Sequence, residues 1–355
     1  MSNEARSIRG RGAAANPPNR FEKIRVERYV DWDPAEDPSP RTQFLRDLSQ
    51  SIISYNDSPD IGFHASLNAY RGCEHGCSYC YARNTHEYLG FSAGLDFETK
   101  IVVKESAPEL LRRELASPKW QPQTLAMSGV TDCYQPVERR LQLTRRCLAV
   151  LAEFRNPVGI TTKNYLVTRD LDLLRELAEH RAVVVHLSIN SLDAELARKL
   201  EPRAASPKMR LAAVEALAKA GVPVGVLVAP VIPALNDHEI PAVLAAAKAA
   251  GAGWAATEIL RLPLTVAPIF EEWLERNVPG KKEKVLNRIR AMRGGKLNDP
   301  RFGARMRGEG IFAEQISQMF HVARRKAGLA EDGPELSTAG FRRPEGTQLG
   351  LGLGA

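Results

Sequence analysis

The stretch "NAYRGCEHGCSYCYAR", residues 68–83, carries three of the five cysteines in a chain of 355 residues. Cys73, Cys77 and Cys80 follow the pattern Cys-x3-Cys-x2-Cys, whereas Cys133 and Cys147 stand apart from them. A closed structural zinc site takes four ligands, commonly as two pairs. The cysteine group is therefore one ligand short of such a site, and this shortage needs a chemical explanation.

Short apolar segments alternate with amphipathic ones along the middle of the chain. We predict six strands, at about 66–70, 124–130, 158–163, 182–190, 223–232 and 254–260. Segments of helical periodicity cover 138–154, 169–180 and 238–251, and the first of them places Leu141, Leu148 and Leu151 on one face. The apolar segments lack polar alternation, which is typical of parallel strands covered on both sides. Six such βα units predict a parallel sheet, either open or curled into a barrel.

The three grouped cysteines directly follow the first predicted strand. In parallel α/β folds the chemistry lies at the carboxyl ends of the strands, so these cysteines are placed where a site is expected. A cuboidal four-iron cluster held by three thiolates leaves one iron free to bind another molecule. Alternatively, His64, His75 or His86 completes a zinc site, and the chain is a zinc-stabilised nucleic-acid-binding module without catalysis.

The flanks of the chain differ in composition from this middle region. Residues 1–40 and the C-terminal end lack hydrophobic periodicity and contain many Gly, Pro and polar residues, so we expect loose packing there. We divide the chain into an N-terminal extension, partly disordered, at 1–60, a core at 61–265, a basic helical region at 266–328 and a flexible tail at 329–355.

The sequence also gives an expectation for the compartment. The N-terminus lacks the apolar segment of a secretory signal, and no apolar run reaches the roughly 18 residues of a membrane-spanning helix. We therefore expect a cytoplasmic protein whose thiols stay reduced, without a disulfide framework.

Positive charge is concentrated in one segment. Residues 281–310 contain ten basic and three acidic residues, which gives a net charge of +7, equal to that of the whole chain. Such a segment can attract phosphates, although a solvated helix face is an equally good interpretation. Phe302 is its only aromatic residue, so it offers little for base stacking.

The cysteine spacing, with Tyr79 just before the last cysteine, resembles the radical S-adenosylmethionine (radical SAM) superfamily. The resemblance implies a partial (β/α)6 TIM-like barrel with a helical C-terminal extension, and a [4Fe–4S] cluster on Cys73, Cys77 and Cys80. It implies that the open iron chelates the amino and carboxylate groups of S-adenosylmethionine (SAM). Reductive cleavage of SAM then releases methionine and a 5′-deoxyadenosyl radical, which abstracts hydrogen from a substrate.

The same resemblance suggests which strand-end residues bind SAM. The stretch "SGVTD" stands where the superfamily usually has a Gly-Gly-Glu-like turn, and its form departs from that turn. We expect Lys163 to bind the SAM carboxylate and the backbone around Ala229 and Pro230 to flank the adenine. The other candidate cofactor-binding residues are Tyr79, Ser128, Gly129, Thr131, Asp132, Ser188 and Asn190.

Within the superfamily, "SGVTDCYQPVE", "LEPR" and "APVIPALND" resemble the DNA repair photolyase-like group, which is related to spore photoproduct lyase. The resemblance implies repair or modification of DNA, with Cys133 as a hydrogen-atom donor, whereas Cys147 is expected in the core. RNA, peptide and small-molecule substrates remain alternatives, as does a sensor that binds SAM without turnover. Expected partners are an electron donor such as flavodoxin or ferredoxin, and nucleic acid through residues 281–310.

Overall fold

The computed structural model describes residues 8–22 and 40–344. The strands are β1 (Gln43–Arg46), β2 (Ile53–Tyr55), β3 (Ala65–Leu67), β4 (Tyr70–Arg71), β5 (Lys100–Val103), β6 (Leu125–Met127), β7 (Val158–Thr162), β8 (Val183–Ser188), β9 (Val224–Val231) and β10 (Trp254–Ile259). The α-helices are α1 (Leu95–Thr99), α2 (Ala107–Ala116), α3 (Glu138–Leu141), α4 (Leu143–Phe154), α5 (Leu171–Glu179), α6 (Ala194–Leu200), α7 (Pro207–Lys219), α8 (Ile240–Ala249), α9 (Val266–Asn277), α10 (Pro279–Ala291), α11 (Ala304–Arg307) and α12 (Ile311–Ala327). Three 3-10 helices cover Tyr81–Leu89, Tyr165–Asp170 and Asp237–Glu239.

The main sheet has the strand order β10-β9-β8-β7-β6-β3-β2. Six of its strands pair in parallel, namely β3, β6, β7, β8, β9 and β10, and β2 adds an antiparallel edge. All six predicted strands are present, and the predicted partial (β/α)6 architecture is confirmed. Val183, Val184 and Val185 follow one another in β8 and are all buried, as expected for strands covered on both faces.

A second sheet has the order β1-β5-β4 and was not predicted. The first predicted strand, 66–70, is divided between the two sheets, because β3 ends at Leu67 and β4 begins at Tyr70. β4 pairs antiparallel with β5, with Tyr70 opposite Val103. This small sheet fixes the entrance to the cysteine-rich segment.

The helix predicted at 138–154 is two helices in the structure. Gln142 has a φ of 53° and separates α3 from α4. The Glu138 carboxylate accepts a hydrogen bond from the Thr144 amide at 3.1 Å, which satisfies a free donor at the start of α4. Leu148 and Leu151 are fully buried, whereas Leu141 is only partly buried.

Loose packing of residues 1–40 is wrong for residues 8–22. Gly12 and Ala13 are buried, and Ala13, only 1% exposed, packs with Leu95 and Ile269. Residues 1–7 and 23–39 lie outside the described residues, as do residues 345–355 of the predicted flexible tail. The described part of that tail packs too, since the Arg342 amide donates to the Phe154 carbonyl at 3.0 Å and Phe341 lies against the Phe154 ring. The other domain boundaries stay predictions.

Among residues 8–22 and 40–344, no helix combines the length and the apolar character that crossing a membrane requires.

Candidate cofactor site at the cysteine loop

The cysteine loop, residues 72–80, is held from two sides by backbone hydrogen bonds. The Cys73 amide donates to the Phe97 carbonyl at 2.9 Å, and the Ser78 amide donates to the Leu200 carbonyl at 2.9 Å. The loop is therefore held between α1, which contains Phe97, and Leu200, the last residue of α6. Gly76 has a φ of 67°, a conformation that favours glycine, and an added Cβ there would lie 2.6 Å from a Glu98 oxygen.

The three thiols of the loop are free and near one another. Cys73 and Cys77 are buried, and Cys80 is half-buried. Burial raises the pKa of Cys77 well above its ordinary value, the Glu201 carboxylate and the neighbouring thiols raise it further, and the Lys163 ammonium opposes them. The Cys77 thiol is therefore protonated without metal, so iron must displace its proton when it binds.

Three neighbouring thiols are the protein ligands that a four-iron cluster with one open iron needs. A zinc site brings four ligands to within about 2.3 Å of one ion. Within the described ranges, no group of three or more His, Cys, Asp or Glu side chains is arranged to hold one metal ion. A cluster places each thiolate on a different iron, so it accepts thiols that are neighbours without converging on one point.

Lys163 lies beside the cysteine loop, as predicted, at the carboxyl end of β7. Burial opposes the charge on its ammonium, but the nearby Cys77 and Glu201 outweigh burial and raise its pKa. Its backbone is fixed, because its amide donates to the Asp132 carboxylate at 2.8 Å. Nothing within residues 8–22 and 40–344 forms a hydrogen bond or ion pair with its ammonium, which is therefore available to a ligand.

Asp132 is committed to contacts inside the protein. Its carboxylate lies 3.3 Å from His75 Nδ1 and accepts a hydrogen bond from the Thr162 hydroxyl at 2.7 Å. Burial opposes the charge on both groups, but their mutual attraction and these bonds outweigh it. The pKa of Asp132 is lowered to about 2 and that of His75 is raised to about 9. Asp132 thus ties the end of β7 to the cysteine loop, and its predicted role toward SAM stays a prediction.

The turn after β6 is strained at Ser128, which has a φ of 86°. The Ser128 hydroxyl accepts from the Cys133 amide at 3.0 Å, and this bond stabilises the turn. The Gly129 carbonyl accepts from the Tyr81 hydroxyl at 2.7 Å, and the Thr131 hydroxyl donates to the Tyr70 carbonyl at 3.4 Å. An added Cβ on Gly129 would meet its nearest protein atoms at 3.7 Å, so packing within the described chain does not require glycine there.

Ser188 and Asn190, at the end of β8, are both buried. The Ser188 carbonyl accepts from Arg210 Nη1 at 2.9 Å. Neither polar atom of the Asn190 side chain has a partner among the described residues, although Asn190 is only 1% exposed. A buried unpaired amide is rare and marks a place where a ligand or water completes the hydrogen bonds. At the end of β9, Ala229 and Pro230 are joined by a cis peptide bond.

Tyr79 belongs to a buried network that the sequence did not reveal. Its hydroxyl donates to the Glu201 carboxylate, which also accepts from Arg210. Arg210 donates in addition to the Ala205 carbonyl at 2.8 Å. Glu201 lies in the "LEPR" motif, so the motif was visible in the sequence but its contact with Tyr79 was not. The network therefore stabilises the end of the cysteine loop, where Tyr79 lies.

Tyr81 is a second residue that sequence reasoning missed. The Arg261 guanidinium lies over its ring at 4.2 Å, and Arg261 also pairs with Glu258 at 3.2 Å. Burial of the hydroxyl raises the pKa of Tyr81 to about 12, and burial raises the pKa of Glu258 as well. Tyr81 therefore keeps its hydroxyl hydrogen at neutral pH and presents part of its ring to solvent beside the cysteine loop.

The two cysteines outside the loop are both buried, at 5% exposure for Cys133 and 1% for Cys147. Cys147 packs in the main hydrophobic core, as predicted. Burial, reinforced by Asp132, raises the pKa of Cys133 well above its ordinary value. The Cys133 thiol therefore keeps its hydrogen at neutral pH, which a hydrogen-atom donor requires. Its donor role stays a prediction.

Half of the basic residues in 281–310 are either buried or held in ion pairs with other parts of the protein. Arg293 is 2% exposed and donates to the Leu260 carbonyl at 2.6 Å. Four others form ion pairs: Lys282 with Glu275, Arg288 with Asp237, Arg301 with Asp299 and Glu309, and Arg305 with Asp60. The segment therefore offers fewer cations to a polyanion than its sequence charge implies.

Comparison with known proteins places this geometry in a family. The model of the Radical SAM superfamily matches residues 67–247, about half of the chain. An uncharacterized protein of Mycobacterium tuberculosis is 40% identical over 221 residues, and one of Methanocaldococcus jannaschii is 32% identical over 173 residues. These matches cover 62% and 49% of this chain, and 65% and 62% of the relatives' own lengths.

Solved structures of spore photoproduct lyase share the fold at 16% sequence identity. A complex with a dinucleoside spore photoproduct has a TM-score of 0.58 and covers 81% of this chain and 80% of its own. A point mutant of the lyase has a TM-score of 0.59 with the same coverage. The match of the family model over the cysteine loop, together with the parallel sheet, shows that the chain belongs to the radical SAM superfamily.

Proposed function

We propose that this protein is an enzyme that reductively cleaves SAM at a [4Fe–4S] cluster bound by Cys73, Cys77 and Cys80. One observation carries the proposal: at the carboxyl ends of parallel strands, three neighbouring thiols meet the ammonium of Lys163, which has no partner among the described residues. When bound, the cluster and SAM would supply a 5′-deoxyadenosyl radical that takes a hydrogen atom from the substrate.

The side chains around the cysteine loop suit the polar groups of SAM. The Lys163 ammonium is a point charge matched to a carboxylate. The Asn190 amide offers a donor and an acceptor, the set that two ribose hydroxyls need. The polar groups of Tyr79, Glu201 and Arg210 bond one another and thereby hold the loop, while the predicted contact of Tyr79 with the cofactor stays a prediction.

Anaerobic reconstitution with iron and sulfide, followed by reduction in the presence of SAM, tests this chemistry. We expect about four irons per chain and formation of 5′-deoxyadenosine. Cys77→Ala should lose both, whereas Cys147→Ala, which removes another buried thiol outside the loop, should keep both. Binding of zinc alone would refute the cluster, and a loaded cluster without 5′-deoxyadenosine would indicate a sensor.

For the substrate we propose nucleic acid, specifically DNA that carries a photoproduct. Two observations support this choice: the fold shared with spore photoproduct lyase, and the protonated thiol of Cys133 next to the turn after β6. Four basic side chains of 281–310 form no hydrogen bond or ion pair with the described residues: Lys281, Lys284, Lys296 and Arg307. They can add phosphate contacts, but they identify no base. A flavodoxin or ferredoxin would supply the electron, and a cytoplasmic location fits five free cysteines, all in the described part of the chain.

Ultraviolet-irradiated DNA containing the methylene-linked thymine photoproduct is the direct test. After incubation with the reduced enzyme and SAM, digestion and mass spectrometry should show its loss and the return of thymine. Irradiated RNA serves as the competing substrate. Robust 5′-deoxyadenosine formation with unchanged DNA lesions would refute the substrate while leaving the SAM chemistry intact.

A further inference from the structure

Residues 8–22, here called the N-terminal strap, lie against the cysteine loop and the residues that follow it. The Gly12 and Ala13 amides donate to the Glu98 carboxylate at 3.0 and 2.9 Å. The Ala15 carbonyl accepts from the Leu95 amide at 3.2 Å. The strap is thus bonded through its main chain to α1 and the turn before it.

The strap and the cysteine loop approach so closely that a side chain would not fit between them. A Cβ added to Gly12 would lie 1.9 Å from the Gly76 carbonyl oxygen, at the centre of the loop. A Cβ added to Gly94 would lie 2.1 Å from the Ala15 carbonyl oxygen. Both distances are far below any real contact, so the observed seating of the strap requires glycine at both positions.

Glu98 connects the strap to a cluster cysteine. Its side chain is fully buried and also accepts from Arg83 Nη2 at 2.5 Å. Arg83 is fully buried too, and its Nε donates to the Cys77 carbonyl at 3.0 Å. A single carboxylate therefore binds two amides of the strap and the guanidinium that fixes the Cys77 peptide.

We propose that Glu98 is a positioning residue that secures the N-terminal strap over the cysteine loop and, through Arg83, fixes Cys77. The strap excludes water and oxygen from this side of the cluster. Hydrogen bonding and solvent exposure near the cysteines set the potential of an iron–sulfur cluster, so release of the strap also changes that potential.

Limited trypsin digestion of the metal-free protein measures closure of the strap, because the strap contains Arg9, Arg11 and Arg20. Glu98→Gln keeps the side-chain size but replaces one acceptor oxygen by an NH2 group. That NH2 group would face the Gly12 and Ala13 amides and Arg83, which are themselves donors. The strap is either seated on the cysteine loop or released from it. Loss of one charge-assisted hydrogen bond lowers the ratio of seated to released strap about tenfold. We therefore expect cleavage in the strap at least about tenfold faster than in wild type.

Gly12→Ala provides an independent second variant, since it blocks the strap but leaves the bonds between Glu98, Arg83 and Cys77 in place. It should show the same faster cleavage. Gly62→Ala is the control, because an added Cβ there meets nothing within 4 Å. It should digest like wild type.

The reconstituted proteins test the consequence for the cluster. In air, the cluster absorbance of Glu98→Gln and Gly12→Ala should decay at least about tenfold faster than in wild type and Gly62→Ala. Only Glu98→Gln should also lose the wild-type electron paramagnetic resonance line shape. If trypsin cleaved Gly12→Ala at the wild-type rate, the proposal would be overturned, even if Glu98→Gln failed to fold. Wild-type digestion and decay of a folded Glu98→Gln would overturn it as well. None of these measurements depends on turnover of SAM.

Discussion

Replacing Arg210 by alanine should destabilise the protein strongly and loosen the cysteine loop. Arg210 is 1% exposed, and its guanidinium bonds the Glu201 carboxylate and the carbonyls of Ala205 and Ser188. Without it, Glu201 is a buried charge whose carboxylate keeps, among the described residues, one hydrogen bond, from the Tyr79 hydroxyl, and the attraction of the nearby Lys163 ammonium. Removing one member of a buried ion pair costs about 3–5 kcal/mol of unfolding free energy.

This free energy predicts a measurable melting shift. Unfolding entropy scales with chain length, which gives about 0.7 kcal/mol per degree for a chain of this size. The midpoint of metal-free Arg210→Ala should therefore fall by about 4–7 °C in scanning calorimetry. Reconstituted iron content should fall too, because Glu201 fixes Tyr79 within the loop.

Lys219→Ala is the matched control, since Lys219 lies on the same helix α7 and pairs with Glu215 at the surface. Exposed pairs contribute about 0.2–1 kcal/mol, so its midpoint should move by about 1 °C or less. Equal midpoints for Arg210→Ala and Lys219→Ala would show that the buried network does not stabilise the fold as we describe.

Three further predictions concern the site. Lys163→Met should weaken SAM binding by about 10- to 100-fold in equilibrium dialysis, because a charge-assisted hydrogen bond is lost, while iron content stays at the wild-type level. A loss of iron instead would contradict a role toward SAM. Cys133→Ala should form 5′-deoxyadenosine without substrate as wild type does, but should return less thymine from the DNA photoproduct, and wild-type yield would exclude the donor role. In urea unfolding, the free energy of unfolding of wild type should exceed that of Asp132→Asn by the largest amount between about pH 4 and 6.5. The advantage should fall toward pH 2 as Asp132 protonates and toward pH 9 as His75 loses its proton, and a flat difference would contradict the ion pair.

The sequence predicts the main sheet well because buried parallel strands can be recognised as short apolar segments. The six apolar segments appear as strands within a few residues of the predicted limits. The small sheet cannot be predicted in this way. β1 is largely exposed and β4 has two residues, so neither forms an apolar segment. The pairing of β1 with β5 joins segments more than fifty residues apart and has no local signal.

The site divides in a similar way. Strand order predicts that Lys163 lies beside the cysteines, because both follow strands whose carboxyl ends meet at one edge of the sheet. The bond between Tyr79 and Glu201 joins residues 122 positions apart, and the bonds from the strap to Glu98 span about 85. These contacts follow from how the segments pack in space, which composition and spacing do not encode.

In the proposed chemistry, SAM is the ligand of the fourth iron of the cluster. Electron–nuclear double resonance on the reduced, reconstituted protein, with SAM labelled by ¹⁵N at its amino group, tests this claim directly. We predict a ¹⁵N coupling to the cluster in wild type, because three cysteines leave one iron open to that nitrogen. A fully loaded, reduced [4Fe–4S] cluster that shows no coupling at saturating SAM would contradict the account.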